Sequence, residues 1–199
     1  ELAKNYVEEV RNKIQSDIIL IAFDTNKSAN FLNDNKTIFL KTHSALCTLE
    51  KNPFTNKKNT QAVIYIVRDP RNVITSIGNH YSMNIEESYD FMIDNNRIIT
   101  ADKWGGDNFG ISEVLGSWSQ HYKSWQNIKF APILNIKYED LISDTKKTLI
   151  EIINFLQKFT EVKIDNKKIS KTVESCNFEN LRKMEKKEGF VEAVYSEKS

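Results

Sequence analysis

The sequence contains few cysteines, and this shortage removes two classes of site. Only two of its 199 residues are cysteines, Cys47 and Cys176. Their separation matches neither a zinc motif nor a redox motif, and two cysteines do not make a disulfide framework. We therefore predict no metal site and no structural disulfides, and a reducing compartment, the cytoplasm, fits best.

The sequence also lacks an excess of one charge and lacks long apolar runs. Its 28 Lys and Arg residues nearly balance 27 Asp and Glu residues, which leaves a net charge of +1 and no general attraction to nucleic acid. The apolar run near the start, Ile18 to Phe23, is far too short to cross a bilayer, and no signal peptide is visible. We therefore predict neither a nucleic-acid nor a membrane partner, and a homodimer remains open.

What is present is the composition of an ordinary folded domain. Hydrophobic residues make up 40% of the chain, which is enough for a core, and the length suits a single domain, 1–199. Short apolar runs typical of strands alternate with segments of helical periodicity. This alternation predicts an α/β fold with a central, mainly parallel sheet flanked by helices. The predicted strands are Ile18–Phe23, Thr37–Leu40, Val63–Val67 and Ala131–Lys137.

Two helical patterns flank a glycine-rich segment. Ile85 to Ile99 is expected to form one helix, and Val114 to Trp125 another, whose aromatic stripe we assign to the core rather than to a ligand site. Between them, Trp104 to Gly116 holds four of the six glycines. We expect a mobile loop there, which is either a lid over a site or an ordinary connection.

The stretch from Val63 to Tyr81 predicts a strand, a tight turn and a helix. The apolar run ends at Arg68, and then Asp69 and Pro70 follow as a good N-cap and a good first helical residue. The helix would begin at the carboxyl end of the strand, where ligands bind in open α/β sheets, and its N–H groups would suit an anion. Arg68 adds donors that fit a phosphate, and Ser76, about two helical turns further on, adds a hydroxyl. The alternative is a salt-bridged Arg68 and a Ser76 that faces water.

Other polar residues follow the predicted strands. Lys41 and His43 alternate along one strand end, so their side chains share a face of the sheet, and an imidazole there can take a proton near neutral pH. Tyr138 would reach the same edge after the strand that ends at Lys137. The alternatives are a solvent-facing lysine, a loop-capping histidine and a core tyrosine. Phe178 could stack on a base or could anchor the core.

Five segments together resemble a known family. They occur in the order and approximate spacing of the sulfotransferases that use 3′-phosphoadenosine 5′-phosphosulfate (PAPS), and the likeness to the bacterial and cytosolic branch runs from about Phe39 to about Phe190. Each segment alone is a weak signal, whereas five in order are specific. The segments are FLKTH, VIYIVRDPRNVITS, GSWSQHYKSW, ILNIKYEDLISDTKKTLIEIINFL and CNFENLRKMEKKEGF.

The resemblance implies a P-loop-like three-layer fold and a set of donor-binding residues. It places Arg68 and Ser76 on the 3′-phosphate of PAPS and of its product, 3′-phosphoadenosine 5′-phosphate (PAP). It places Tyr138 beside the adenine, and Cys176 and Phe178 at positions on the adenine side.

The resemblance also implies a reaction, the in-line transfer of a sulfuryl group to a hydroxyl or amine. Lys41 would contact the transferring group, and His43 would be the general base that takes the acceptor's proton. The acceptor would be a small molecule or a glycan, and the reaction would need no metal.

The sequence departs from the family at both ends. The family's Lys-Ser-Gly-Thr-type phosphosulfate loop has no counterpart between Glu1 and Leu40, and its late Arg-Lys-Gly segment is not in Val191 to Ser199. We therefore interpret the chain as an internal portion of a sulfotransferase, and we expect the polypeptide as printed to lack the lysine that holds the 5′-phosphosulfate. Two other interpretations remain, a P-loop-type nucleotide kinase and a degenerate nucleotide-binding module without catalysis.

Overall fold

A computed structural model describes residues 19–24, 37–49, 51–100 and 112–188. Residues 101–111, which include most of the glycine-rich segment from Trp104 to Gly116, lie outside the described residues. The described strands are β1 (Ile19–Asp24), β2 (Thr37–Thr42), β3 (Thr48–Leu49), β4 (Asn52–Pro53), β5 (Ala62–Val67), β6 (Ile98–Thr100), β7 (Ser112–Val114) and β8 (Ile133–Lys137). The described helices are α1 (Pro70–Tyr81), α2 (Ile85–Ile93), α3 (Trp118–Gln126), α4 (Tyr138–Ser143), α5 (Thr145–Leu156), α6 (Asn166–Ser175) and α7 (Phe178–Glu188).

The main sheet has four strands in the order β2-β1-β5-β8. Strands β2, β5 and β8 run in one direction, because β5 and β8 are parallel and β1 lies antiparallel to both β2 and β5. The prediction of an α/β fold with helices around a central sheet is confirmed. The described sheet is nevertheless mixed, since β1 runs against its neighbours. A short apolar run specifies a strand but not its direction, which depends on the connections.

Strand β5 is buried on both faces and divides the core into two layers. Its odd-numbered residues pack towards α3 and its even-numbered residues towards α5, as the pleat of a strand requires. The first cluster contains Val63, Tyr65, Trp125 and Ile128, and the second contains Ala62, Ile64, Ile66, Ile136 and Phe155. The aromatic stripe of α3 therefore belongs to the core at Trp125, as predicted.

Helix α1 begins as the sequence predicts. Asp69 is its N-cap and accepts a hydrogen bond from the backbone N–H of Arg71, while Pro70 occupies the first helical position. Helix α5 begins in the same way, because Asp144 accepts a hydrogen bond from the N–H of Lys147. Both caps satisfy N–H groups that a helix cannot pair internally.

Two predicted helices were too long. The expected helix from Ile85 to Ile99 ends at Ile93, where Asp94 turns the chain and accepts a hydrogen bond from the N–H of Asn96. Residues 98–100 and 112–114 then pair as antiparallel strands. The second helix begins at Trp118 instead of Val114, because Gly116 has a φ of +62° and cannot continue a helix. No helix among the described residues has both the length and the apolar character needed to cross a membrane.

The two-layer core generates a stability prediction. Ile64 is 2% exposed between the sheet and α5, whereas Ile142 on α4 is 64% exposed. Ile64→Ala should lower the free energy of unfolding by about 2–5 kcal/mol, because it removes buried methyl groups and leaves a cavity. The same substitution at Ile142 should change it by less than about 0.5 kcal/mol. Urea denaturation of both variants checks this, and equal effects would contradict the assigned core.

Candidate functional site

The sheet register brings four predicted site residues to one edge. Ile19 of β1 lies opposite both Thr42 and Tyr65, so the carboxyl ends of β2 and β5 reach the same level. Val67 pairs with Lys137, so the end of β8 is also level with them. Lys41 and His43 at the end of β2, Arg68 after β5 and Tyr138 after β8 therefore stand along one edge of the sheet.

Two of the predicted donor-binding residues, Ser76 and Tyr138, contact a third, Arg68. The Nη1 of Arg68 donates a hydrogen bond of 2.9 Å to the Oγ of Ser76. The same guanidinium lies over the ring of Tyr138, 4.7 Å from its centroid, which is a cation–π distance. Arg68 thus links the second turn of α1 to the first residue of α4, with its guanidinium held from two sides.

One nitrogen of Arg68 lacks a hydrogen-bond acceptor among the described residues. Its Nε is buried and has no hydrogen-bond partner among the described residues. A buried guanidinium N–H without an acceptor is costly, and a phosphate oxygen is the acceptor that best fits its planar donors. The hydroxyl of Ser76 accepts from Arg68 and still has its own proton to donate. The pair therefore fits a phosphate group.

The N-terminus of α1 does not serve as an open anion site, which corrects one expectation. The carboxylate of Asp69 occupies it, accepting from the N–H of Arg71 at 2.9 Å and forming an ion pair with the Arg71 guanidinium. Hydrogen bonds from Arg71 lower the pKa of Asp69 to about 2, so this carboxylate stays charged near neutral pH. An anion at this position would have to be held by side chains, because the N-cap already uses the N–H that it would need.

A hydrogen bond ties the turn before α1 to the start of α4. The N–H of Asp69 donates to the Oε1 of Glu139 at 3.1 Å. This bond, more than the nearby charge of Arg68, lowers the pKa of Glu139. The two strand ends that carry Arg68 and Tyr138 are therefore joined through backbone and carboxylate, and the cation–π contact between these residues is held at a fixed separation.

The backbone of His43 is held from both sides. Its N–H donates to the Oε1 of Glu113 at 3.3 Å, and its carbonyl oxygen accepts from the Nε2 of His121 at 3.0 Å. His121 is 6% exposed, and its Nδ1 lies 3.0 Å from the hydroxyl of Tyr65. Burial lowers the pKa of His121, and a positive charge on His43 would lower it further. His121 is therefore a neutral ring that connects β5 to the segment after β2.

The residues after His43 are held by the same helix. The Nε1 of Trp125 donates to the carbonyl oxygen of Ser44 at 3.1 Å, and the N–H of Leu46 donates to the Oγ of Ser124 at 3.0 Å. The Ser124 hydroxyl in turn donates to the carbonyl oxygen of His121. We call His121, Ser124 and Trp125 the α3 clasp, because all three contact the backbone of segment 43–46.

Sequence reasoning missed two members of this clasp. It assigned Trp125 to the core, and it gave no role to His121 or Ser124. The available signal was their spacing, since residues three and four apart on a helix lie on one face. Polar atoms on a buried helix face need hydrogen-bond partners, so the sequence could have predicted that His121 makes hydrogen bonds within the protein.

The carboxylate of Glu113, which accepts from the N–H of His43, also interacts with the end of α1. The carboxylate of Glu113 interacts with Tyr81, whose pKa is raised first by burial and then by that negative charge. The ring of Tyr81 stacks on Phe91 at 5.3 Å, and Phe91 in turn lies beneath the guanidinium of Arg97. Tyr81, Phe91 and Arg97 thus form a stack of two aromatic rings and a guanidinium.

The remaining predicted donor residues lie elsewhere in the fold. Cys176 is an exposed free thiol that closes α6, and Phe178 opens α7 with 74% of its side chain exposed. They stand at the junction of α6 and α7, whereas Arg68 and Tyr138 stand at strand ends. Their assignment to the adenine side stays a prediction.

Comparison with known proteins extends these observations. The family model described as "Sulfotransferase domain" matches residues 3–191. The chain is similar to sulfotransferase 1A1 of Rattus norvegicus, with 31% identity over 121 residues, which is 59% of this chain and 37% of that protein. It is also similar to luciferin sulfotransferase of Photinus pyralis, with 26% identity over 164 residues, or 78% of this chain and 38% of that protein.

A solved structure is also similar to this chain. The crystal structure of mouse sulfotransferase SULT7A1 complexed with PAP matches with a TM-score of 0.47 and 22% identity, over 69% of this chain and 46% of that one. The chain spans 37% and 38% of the two curated relatives above. Because the family model matches nearly the whole chain, the chain belongs to the sulfotransferase domain family.

Proposed function

We propose that the protein transfers a sulfuryl group from PAPS to a hydroxyl or amine of an acceptor, with His43 as general base. The observation that supports this most is the arrangement of Arg68 and Ser76, hydrogen-bonded at 2.9 Å, at the sheet edge that also carries His43. A nucleotide phosphate site and a proton acceptor on one edge are the two parts that such a transfer needs.

On the donor side, Arg68 and Ser76 would bind the 3′-phosphate. The buried Nε of Arg68 lacks an acceptor among the described residues, so a phosphate oxygen there would satisfy it. Tyr138, held under the guanidinium, would offer its outer edge to the adenine, and we assign Cys176 and Phe178 to the same end of the nucleotide. PAPS supplies the sulfuryl group, and these residues fix the orientation in which it is presented.

On the acceptor side, His43 would take the proton from the attacking oxygen or nitrogen. The acceptor's bond to sulfur would form as the bond from sulfur to the phosphate oxygen breaks, with the attacking atom and the leaving oxygen in line and the proton on the imidazole. Lys41, two residues earlier on the strand, would stabilise the negative charge left on the phosphate. As in phosphoryl transfer, the protein contributes positioning and charge and no covalent chemistry of its own.

The first prediction concerns the 3′-phosphate. In the complete protein, Arg68→Ala should weaken PAP binding by about 1.5–3 kcal/mol, roughly 10- to 150-fold, because charge-assisted hydrogen bonds are lost. Adenosine 5′-phosphate, which lacks the 3′-phosphate, should be weakened much less. Calorimetric titration of both ligands measures the difference.

Arg71→Ala is the matched control for that titration. Arg71 lies on the same turn, is 87% exposed and pairs with Asp69. It should therefore leave PAP affinity nearly unchanged. If Arg68→Ala weakened both nucleotides equally, Arg68 would act through the fold or at another position, and the assigned phosphate site would be wrong.

The second prediction concerns the base. His43→Ala should lower turnover about 100- to 10,000-fold, the range that general-base catalysis contributes, while PAP affinity stays close to that of the parent. The thermal midpoint should change little, because a residue at a strand end contributes little to the packing of the core. Added imidazole should restore part of the turnover by supplying the missing base.

A turnover assay with PAPS, beside the PAP titration and a thermal melt, checks this. Thr48→Ala, an exposed substitution on the nearby strand β3, serves as the control for handling and folding. His43 would be structural if the variant kept most of its activity, or if it lost activity only in step with its stability. PAP binding without any turnover in the parent would favour the non-catalytic nucleotide-binding module.

A further inference from the structure

We propose that His121 is a positioning residue that fixes the location of His43. The proposal rests on the proposed function, in which His43 is the general base. It concerns a residue that is not part of the phosphate site, and it follows from two hydrogen bonds made by one buried ring.

The ring of His121 bridges two segments that are distant in the chain. Its Nε2 lies 3.0 Å from the carbonyl oxygen of His43, 78 positions away, and its Nδ1 lies 3.0 Å from the hydroxyl of Tyr65 on β5. The backbone around the ring is held as well, because Ser124 donates to the carbonyl oxygen of His121 and accepts from the N–H of Leu46. Both ring nitrogens of His121 therefore have partners, and Ser124 joins α3 to segment 43–46 next to the ring.

The two bonds determine one tautomer. A carbonyl oxygen can only accept, so the Nε2 of His121 carries the proton and donates to His43. The Nδ1 of a neutral ring then has no proton, and Tyr65 must donate its O–H to it. Burial favours this neutral form. The hydroxyl of Tyr65 therefore selects the tautomer that can hold His43, as a carboxylate does for a catalytic histidine elsewhere.

This arrangement separates the roles of the two histidines. His121 has both nitrogens engaged within the protein and is 6% exposed, so it is not placed to exchange protons with an acceptor. Its effect reaches the reaction through the backbone of His43. Without the Nε2 donor, the half-buried carbonyl of His43 would lose its partner, and the segment would shift to find another.

A pair of amide variants tests this. In His121→Gln the amide nitrogen reaches the place of Nε2 and can still donate to the carbonyl of His43, whereas in His121→Asn the shorter amide reaches only the place of Nδ1. Asn should lower kcat about 10- to 100-fold, the effect of misplacing a catalytic group by up to an ångström. Gln should keep most of kcat, and both should bind PAP as the parent does.

A second readout does not depend on turnover. The chain has three histidines, so imidazole resonances of the isotope-labelled protein can be assigned by substitution. His121 should show the neutral form with the proton on Nε2. The resonances of His43 should shift in the Asn variant and stay near their parent positions in the Gln variant. If the parent protein transferred no sulfuryl group, the proposed function would fail, and these spectra would still decide whether His121 positions His43.

Tyr65→Phe covers the case in which the Asn variant does not fold. It removes only the hydroxyl, so the core cluster around Val63 and Trp125 keeps its ring. His121 should then lose its single tautomer, the resonances of His43 should shift, and kcat should fall less than in the Asn variant. Equal kcat in the Gln and Asn variants, or unshifted His43 resonances in both Asn and Tyr65→Phe, would overturn the proposal.

Discussion

Residues 62–66 of β5 are all at least nine-tenths buried, with one apolar cluster on each face. Such a strand has no face on which a charged side chain can stand without losing its hydration. The first position at which the chain can carry a charge is therefore the residue after the strand, and that residue is Arg68. Burial of β5 thus forces polar chemistry to the sheet edge, where β2 and β8 also end.

At the same edge, the segment that follows β2 must find partners for its backbone polar groups. Segment 43–46 leaves the sheet yet stays at least half-buried, so its N–H and C=O groups need partners that the ladder no longer supplies. The α3 clasp supplies several of them, and β7 adds another through the bond from the N–H of Ala45 to the carbonyl of Val114. Satisfying these groups is a requirement of folding, and it also fixes the backbone that carries His43.

Local features were accessible from the sequence, and distant ones were not. The Asp69 cap and the start of α1 lie within one strand–turn–helix unit, where spacing predicts geometry. The hydrogen bond between Arg68 and Ser76 lies in the same unit, but the sequence predicted only that both would contact a phosphate. The bond from His121 to His43 spans 78 positions, and no periodicity encodes it. The sequence also did not predict the direction of β1, which depends on the connections. It placed the end of α2 and the start of α3 wrongly, because the turn at Asp94 and the positive φ of Gly116 override helical periodicity. The closed N-terminus of α1 shows that a good cap and an open anion site compete for the same N–H groups.

The candidate site has two halves, the phosphate half around Arg68 and the base half around His43, and they depend on the core in different ways. The phosphate half centres on one strand–turn–helix unit, since Arg68 and Ser76 belong to one turn and the helix that follows it, and α4 adds the ring of Tyr138 and the carboxylate of Glu139. The base half is assembled from β2, α3, β5 and β7, and its bonds run through the buried rings of Trp125 and His121. A small movement of α3 therefore changes the position of His43 directly, while it reaches Arg68 only through the packing of β5. Under the proposed function, nucleotide binding would therefore tolerate changes in α3 better than catalysis would, because the bonds that hold Arg68 run to α1 and α4, whereas those that hold the backbone of His43 run to α3 and β7.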